Sequence, residues 1–144
     1  MKVARLVVWL LIPLSVMITS ACANPLSNLL GGNPTTPSNN PTTDTFNGAL
    51  TPNGSLVFSF SVATAGSVAV TLTAVTPPTS GPLGLGIGQS SNGNCTIVTS
   101  TSAATAAESP QLSATENPGD YCVKVSDAGS LATTSTVTVT VTHP

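Results

Sequence analysis

The sequence predicts an all-β fold, an antiparallel β-sandwich or jelly roll of about eight short strands, and three observations predict it. Only 6% of the 144 residues are charged. A surface of this chain therefore takes its polarity from Ser, Thr and Asn, and a composition dominated by Thr, Val, Ser and Gly favours strands over helices. From Phe46 onward apolar residues recur at every second position, the period of a half-buried strand. Turn residues interrupt that period repeatedly, and several of the connections they mark are too long for hairpins, which points to two packed sheets.

The chain opens with a different pattern. Residues 1–23 have the three parts of a secretory signal: basic Met1-Lys2-Val3-Ala4-Arg5, an apolar run from Leu6 to Ile18, and the small-residue tail Thr19-Ser20-Ala21-Cys22-Ala23. As a helix the apolar run, broken by Pro13, spans roughly 20 Å, short of a hydrocarbon core of about 30 Å. Two proteases have a recognition site in the tail. Ala21-Cys22-Ala23 is an A-x-A site that would release a soluble protein beginning at Asn24. Thr19-Ser20-Ala21-Cys22 resembles a bacterial lipobox, with Thr19 in place of the usual Leu, and makes Cys22 the lipidation site. Residues 24–43 hold Pro25, Pro34, Pro37 and Pro41 among Asn, Ser, Thr and Gly, a linker composition with no core-forming period. A tether between a lipid anchor and a domain has this composition, which favours the lipoprotein.

Residues 44–144 are then one domain, and its strands follow in order. Phe46 to Leu50 runs into Thr51-Pro52-Asn53-Gly54, read as a hairpin turn because Pro fixes φ and Asn-Gly tolerates positive φ. Ser55 to Val62 places Leu56, Phe58, Phe60 and Val62 inward. Ser67 to Val75 places Val68, Val70, Leu72 and Ala74 inward and Thr71 and Thr73 outward, until Pro77-Pro78 ends it. Leu83 to Gln89, Cys95 to Thr101, Gln111 to Thr115, Asp120 to Ser126 and Thr133 to Thr142 complete the set. The Ala-rich stretch Thr101 to Ala107 reads as loop, ahead of Pro110.

With Cys22 lipidated or removed, Cys95 and Cys122 remain as an even pair, and an oxidising compartment makes pairing the default. Alternation puts Cys122 on the strand face opposite Tyr121, Val123 and Val125, so the bridge is expected outside the central core. Closing that loop restricts the unfolded chain by roughly 3 to 4 kcal/mol in the entropy model.

Charge excludes several partners. The domain carries one basic residue, Lys124, against 5 acidic ones, Asp44, Glu108, Glu116, Asp120 and Asp127. Nucleic acid and anionic membrane surfaces need clusters of Lys or Arg, so no nucleic acid is expected and membrane contact is expected only through Cys22. Nothing assembles a catalytic or metal site. The single His143 stands next to Pro144 and reads as an exposed strand end, and no G-x-S-x-G elbow singles out a serine. Glu116 and Asp120 flank Pro118-Gly119 as a solvated turn, and with Asn117 and Asp127 they do not follow a calcium-loop spacing. No catalytic residue, metal or cofactor is therefore assigned. Phe58, Phe60 and Tyr121 fall on inward faces, which leaves no aromatic platform for a sugar.

Val57-Phe58-Ser59-Phe60-Ser61-Val62, followed by Ala65-Gly66 and Val68, together with Pro118-Gly119-Asp120-Tyr121-Cys122-Val123-Lys124-Val125, resembles the bacterial pre-peptidase C-terminal domain over about Thr45 to His143. The resemblance implies a jelly roll of the kind appended to secreted hydrolases, assisting export or substrate adhesion. No peptidase is attached here, and that family's acidic strand has no counterpart, the region reading Pro82-Leu83-Gly84-Leu85-Gly86-Ile87-Gly88. Only the fold carries over. The expectation is a non-catalytic module of the cell envelope, structural or protein-binding, whose partner is an extracytoplasmic protein or surface component. The alternative is an accessory domain for an extracellular hydrolase, or an atypical hydrolase.

Overall fold

A computed structural model describes residues 40–144. Residues 1–39, with the expected leader, Cys22 and most of the expected linker, lie outside the described residues. Eight strands follow one another: β1 (Thr42–Leu50), β2 (Ser55–Val62), β3 (Gly66–Thr76), β4 (Leu83–Ser91), β5 (Asn94–Ala104), β6 (Leu112–Glu116), β7 (Gly119–Ser126) and β8 (Ser135–His143). They form two four-stranded sheets, ordered β1-β8-β3-β6 (sheet I) and β2-β7-β4-β5 (sheet II). Every pairing is antiparallel. The strand order is that of a jelly roll, and the all-β sandwich expected from the sequence is what forms.

The core lies between the inner faces. β8 shows the logic most simply: Val137, Val139 and Val141 are fully buried, and Thr136, Thr138, Thr140 and Thr142 alternate with them on the outer face. Val68, Val70 and Leu72 of β3 join them from sheet I, against Leu83, Leu85 and Ile87 of β4 and Val123 and Val125 of β7. Each such side chain taken out of water stabilises the fold by about 1.5 to 3 kcal/mol before ordering entropy is charged against it. Phe46 and Phe58 stack at 5.2 Å between centroids and close the side of the sandwich where β1 and β2 run. Gly48 makes room there, because a Cβ at that position would meet Leu56 Cδ1 at 2.7 Å.

Four local expectations need correction. The turn at Thr51-Pro52-Asn53-Gly54 forms, with Gly54 N donating to Thr51 O at 2.9 Å and Asn53 at φ 56°, but it is an arch between sheets and not a hairpin, since β1 pairs with β8 and β2 with β7. Turn chemistry fixes a reversal and is silent about which sheet receives the second strand. In β3 the register shifts between Leu72 and Ala74, so Val75 and not Ala74 packs against the core. A bulge inserts one residue and reverses the parity of everything after it. Thr71 keeps its outer-face place but is buried, at 7% exposure. Finally, β5 runs on to Ala104, through residues read as loop, because pairing with Leu83 overrides the modest β propensity of alanine.

Candidate functional site

The outer face of sheet II carries an open groove, and a second of about 330 Å³ lies between Val75, Pro78–Pro82 and Thr105–Ala106. In β4 the residues Leu83, Leu85 and Ile87 point inward, so Gly84, Gly86 and Gly88 form the outward row. Neighbouring atoms occupy the space a side chain would have taken: Ser126 Oγ above Gly84, Ile97 Cδ1 3.0 Å from the Cβ position of Gly86, and the Thr96 carbonyl above Gly88. Beside this row lies an open groove of about 390 Å³. Gly84 and Gly86 floor it, Lys124 and Ser126 of β7 form one wall, and Ile97, Ser100, Thr101 and Ser102 of β5 form the other. Lys124 is half-buried there and has no carboxylate partner among the described residues.

The disulfide belongs to the same face. Cys95 and Cys122 are joined, with Sγ atoms 2.03 Å and Cα atoms 5.8 Å apart. Cys122 stands opposite Gly88, and β4 separates its strand from β5. In a flat sheet two strands with one between them lie about 9.6 Å apart, so the tip of the β4–β5 hairpin must curl over the outer face to bring Cys95 within reach. Register shifts between Leu83 and Leu85 and between Ile87 and Gly88 allow that curl, and Gly88 has no side chain to obstruct it. Cys122 is buried at 1% exposure yet lies outside the core cluster, on the face that alternation assigned to it. A disulfide is consistent with an oxidising, extracytoplasmic compartment.

Of the ionisable groups named in the sequence, His143 and Asp44 form the one ion pair among the described residues. His143 is not an exposed strand end: it is 6% exposed, with Nε2 3.1 Å from Asp44 Oδ2 and its ring 5.5 Å from that of Phe60. The pairing of β8 with β1 to its last residue carries it inward, beyond what its place beside the terminal Pro144 suggests. Asp120 accepts a 2.6 Å hydrogen bond from Ser61 Oγ. Tyr121 donates to Asn117 O at 2.9 Å, and burial, reinforced by the charge and hydrogen bonding of Glu116, pushes its phenol pKa up.

Asp127 sits at the opposite end of β7 and is committed to backbone. Its carboxylate accepts from Asn53 N at 2.8 Å, Ser130 N at 2.8 Å and Leu131 N at 3.2 Å. Burial works to raise its pKa, but these amides, with that of Gly129, outweigh it and hold the carboxyl below its usual value. With β7 between them, Asp127 and Asp120 do not share a site, and no three acidic, His or Cys side chains converge among the described residues.

The groove went unnoticed in the sequence, although its signal was there: glycine at every second position of an otherwise apolar strand, and Lys124 on the same parity as Cys122. No family model matches the chain, and no curated protein matches it. The resemblance to the pre-peptidase C-terminal domain therefore rests on the quoted residues alone.

Proposed function

We propose that the protein is a non-catalytic exported module of the cell envelope, structural or protein-binding, carried at the membrane by a lipid on Cys22 with residues 24–43 as the tether. The observation that carries this reading is the employment of its ionisable groups. His143 and Asp44 hold each other at a sheet end, Asp120 holds Ser61, and Asp127 ties three loop amides. The groove offers hydroxyls, a glycine floor and one ammonium group, a surface suited to contact and without a paired acid and base beside it. Intact mass of the mature protein tests the anchor: an acylated N-terminal Cys22 supports it, and an unlipidated start at Asn24 overturns it. Hydrolysis of peptide or glycan libraries by the purified protein, abolished by Glu116→Ala, would overturn the non-catalytic reading.

The jelly-roll strand order also favours a second reading, an accessory domain that works beside a separate extracellular hydrolase. Co-purification with a peptidase from the native envelope supports it, and recovery with non-enzymatic envelope components alone opposes it.

A further inference from the structure

We propose that Asn92 is a site of spontaneous backbone modification, converting to isoaspartate and aspartate at the tip of the β4–β5 hairpin, an inference independent of the envelope role above. The chain holds three Asn-Gly pairs, Asn47-Gly48, Asn53-Gly54 and Asn92-Gly93. In such a pair the glycine nitrogen can attack the carbonyl carbon of the asparagine side chain, because no Cβ on the glycine obstructs ring closure. The new C–N bond closes a succinimide ring. The attacking nitrogen gives up its proton, and the side-chain amide leaves as ammonia. Water then opens the ring at either carbonyl, giving aspartate or, where the main chain continues through the former side chain, isoaspartate.

The fold does not leave the three pairs equally free to react. Asn47 and Gly48 lie within β1, paired with Thr138 and Val137 of β8, and Asn47 Oδ1 accepts from Thr138 Oγ1 at 2.7 Å. Leu56 and Phe58 close in on the Gly48 position as well. In the arch, Gly54 N donates to Thr51 O at 2.9 Å, Gly54 O accepts from Asp127 N at 3.0 Å, and Asn53 N donates to Asp127 Oδ2 at 2.8 Å. The nucleophile of that pair is engaged, and the backbone on both sides of it is clamped.

Asn92 has no such restraint. With Gly93 it forms the two-residue loop between Ser91 and Asn94, which face each other across the hairpin, and the φ values of 50° and 78° are those of a type I′ turn. All four residues are exposed. The space a Gly93 side chain would take is empty to 4 Å, and no hydrogen bond to the Asn92 carboxamide or from the Gly93 N–H forms among the described residues. This loop turns into the attacking geometry at the loss of few contacts. The product matters because of where it forms. Isoaspartate adds a methylene to the main chain of a loop whose length fixes the hairpin register, and Cys95, three residues on, is one end of the bridge to Cys122. Ageing at Asn92 therefore loosens the tip that carries Cys95 over the outer face of sheet II.

Peptide mapping by mass spectrometry follows the reaction in the purified, oxidised protein during incubation in mildly alkaline buffer, with fragmentation that separates isoaspartate from aspartate. Conversion at Asn92 should run about tenfold or more faster than at Asn47 or Asn53, since those two wait on local opening. In denaturant, with the bridge reduced, the three should convert at similar rates. Asn92→Gln should remove most of the product formed by the folded protein and leave Asn47 and Asn53 as slow as before. The isoaspartate form, separated by ion exchange, should have its disulfide reduced by dithiothreitol faster than the unmodified protein. Conversion of Asn47 or Asn53 as fast as that of Asn92 in the folded protein, or a preference for Asn92 that persists unchanged in denaturant, overturns the proposal. So does an Asn92 that stays intact while the unfolded chain converts, or a modified tip whose disulfide is reduced no faster than before.

Discussion

Sheet I presents threonine on its outer face where sheet II presents glycine, and the two sheets are secured differently. β1 and β8 pair from Thr42 to Leu50 without a register shift, and β-branched side chains on both faces of β8 supply the cross-strand contacts that stabilise a ladder. β4 gives up those contacts on its outer side at Gly84, Gly86 and Gly88, and its pairing with β5 shifts register at two places. The covalent bond from Cys95 to Cys122 passes over this weakened strand. Where side chains span a sheet it needs no staple, and where glycines open a groove a staple takes over their work.

The harshest way to break this comparison is Gly88→Val. Its Cβ would overlap the Thr96 backbone, so either β5 swings away or the strand distorts. We expect a loss of about 4 kcal/mol or more in urea denaturation and incomplete disulfide formation by thiol titration. A fully oxidised variant of unchanged stability would show that the hairpin does not curl over Gly88.

Next is removal of the staple itself. Cys95→Ala with Cys122→Ala should cost about 3 kcal/mol, and hydrogen exchange should quicken in β4 and β5 before it does in sheet I. Two alkylatable thiols in the native protein, or a melting temperature indifferent to reductant, would show that the bond does not secure this region.

Val139→Ala probes sheet I in the same terms. Emptying that fully buried position should cost roughly 2 kcal/mol, and the loss should add to that of the cysteine pair if the two sheets are secured independently. A strong departure from additivity would join them into one network.

Asp127 sharpens the comparison at the arch joining the sheets. Because its folded pKa is depressed, its contribution is complete above the unfolded value of about 3.9 and is lost as pH falls through the folded value. Asp127→Asn should therefore be less stable than wild type at neutral pH, and the gap should close in acid. A gap that persists at low pH would mean that the carboxylate charge is not what the loop amides use. The smallest effect is expected from Lys124→Gln, within about 0.5 kcal/mol, since the groove it lines is an opening and not a packing site.

The strands were legible because Thr and Val alternate so regularly, as in Ser135 to Thr142, and the face of Cys122 followed from the same alternation. What eluded the sequence were features decided between strands. Thr51-Pro52-Asn53-Gly54 encodes a reversal whether the next strand joins the same sheet or the facing one. The bulge that exchanges Ala74 for Val75 arises from pairing with β8, which no local pattern states. His143 was misplaced because its surroundings, Asp44 on β1 and Phe60 on β2, come from the other end of the domain. The groove was missed for a related reason: three glycines read as weakness in a strand until the strands that flank them are known.

The position of β8 has a consequence for timing. It is the eighth of the described strands, yet sheet I is built around it, with β1 on one side and β3 on the other. The contact between Thr43 and Thr142 joins residues 99 apart in sequence, and only β4 and β5 pair with an immediate neighbour in the chain. Such non-local pairing makes closure slow, because loop entropy is lost before contacts repay it. Until β8 enters, β1 and β3 have no common partner and sheet I cannot close, whereas the four strands of sheet II need nothing from it for their own pairing.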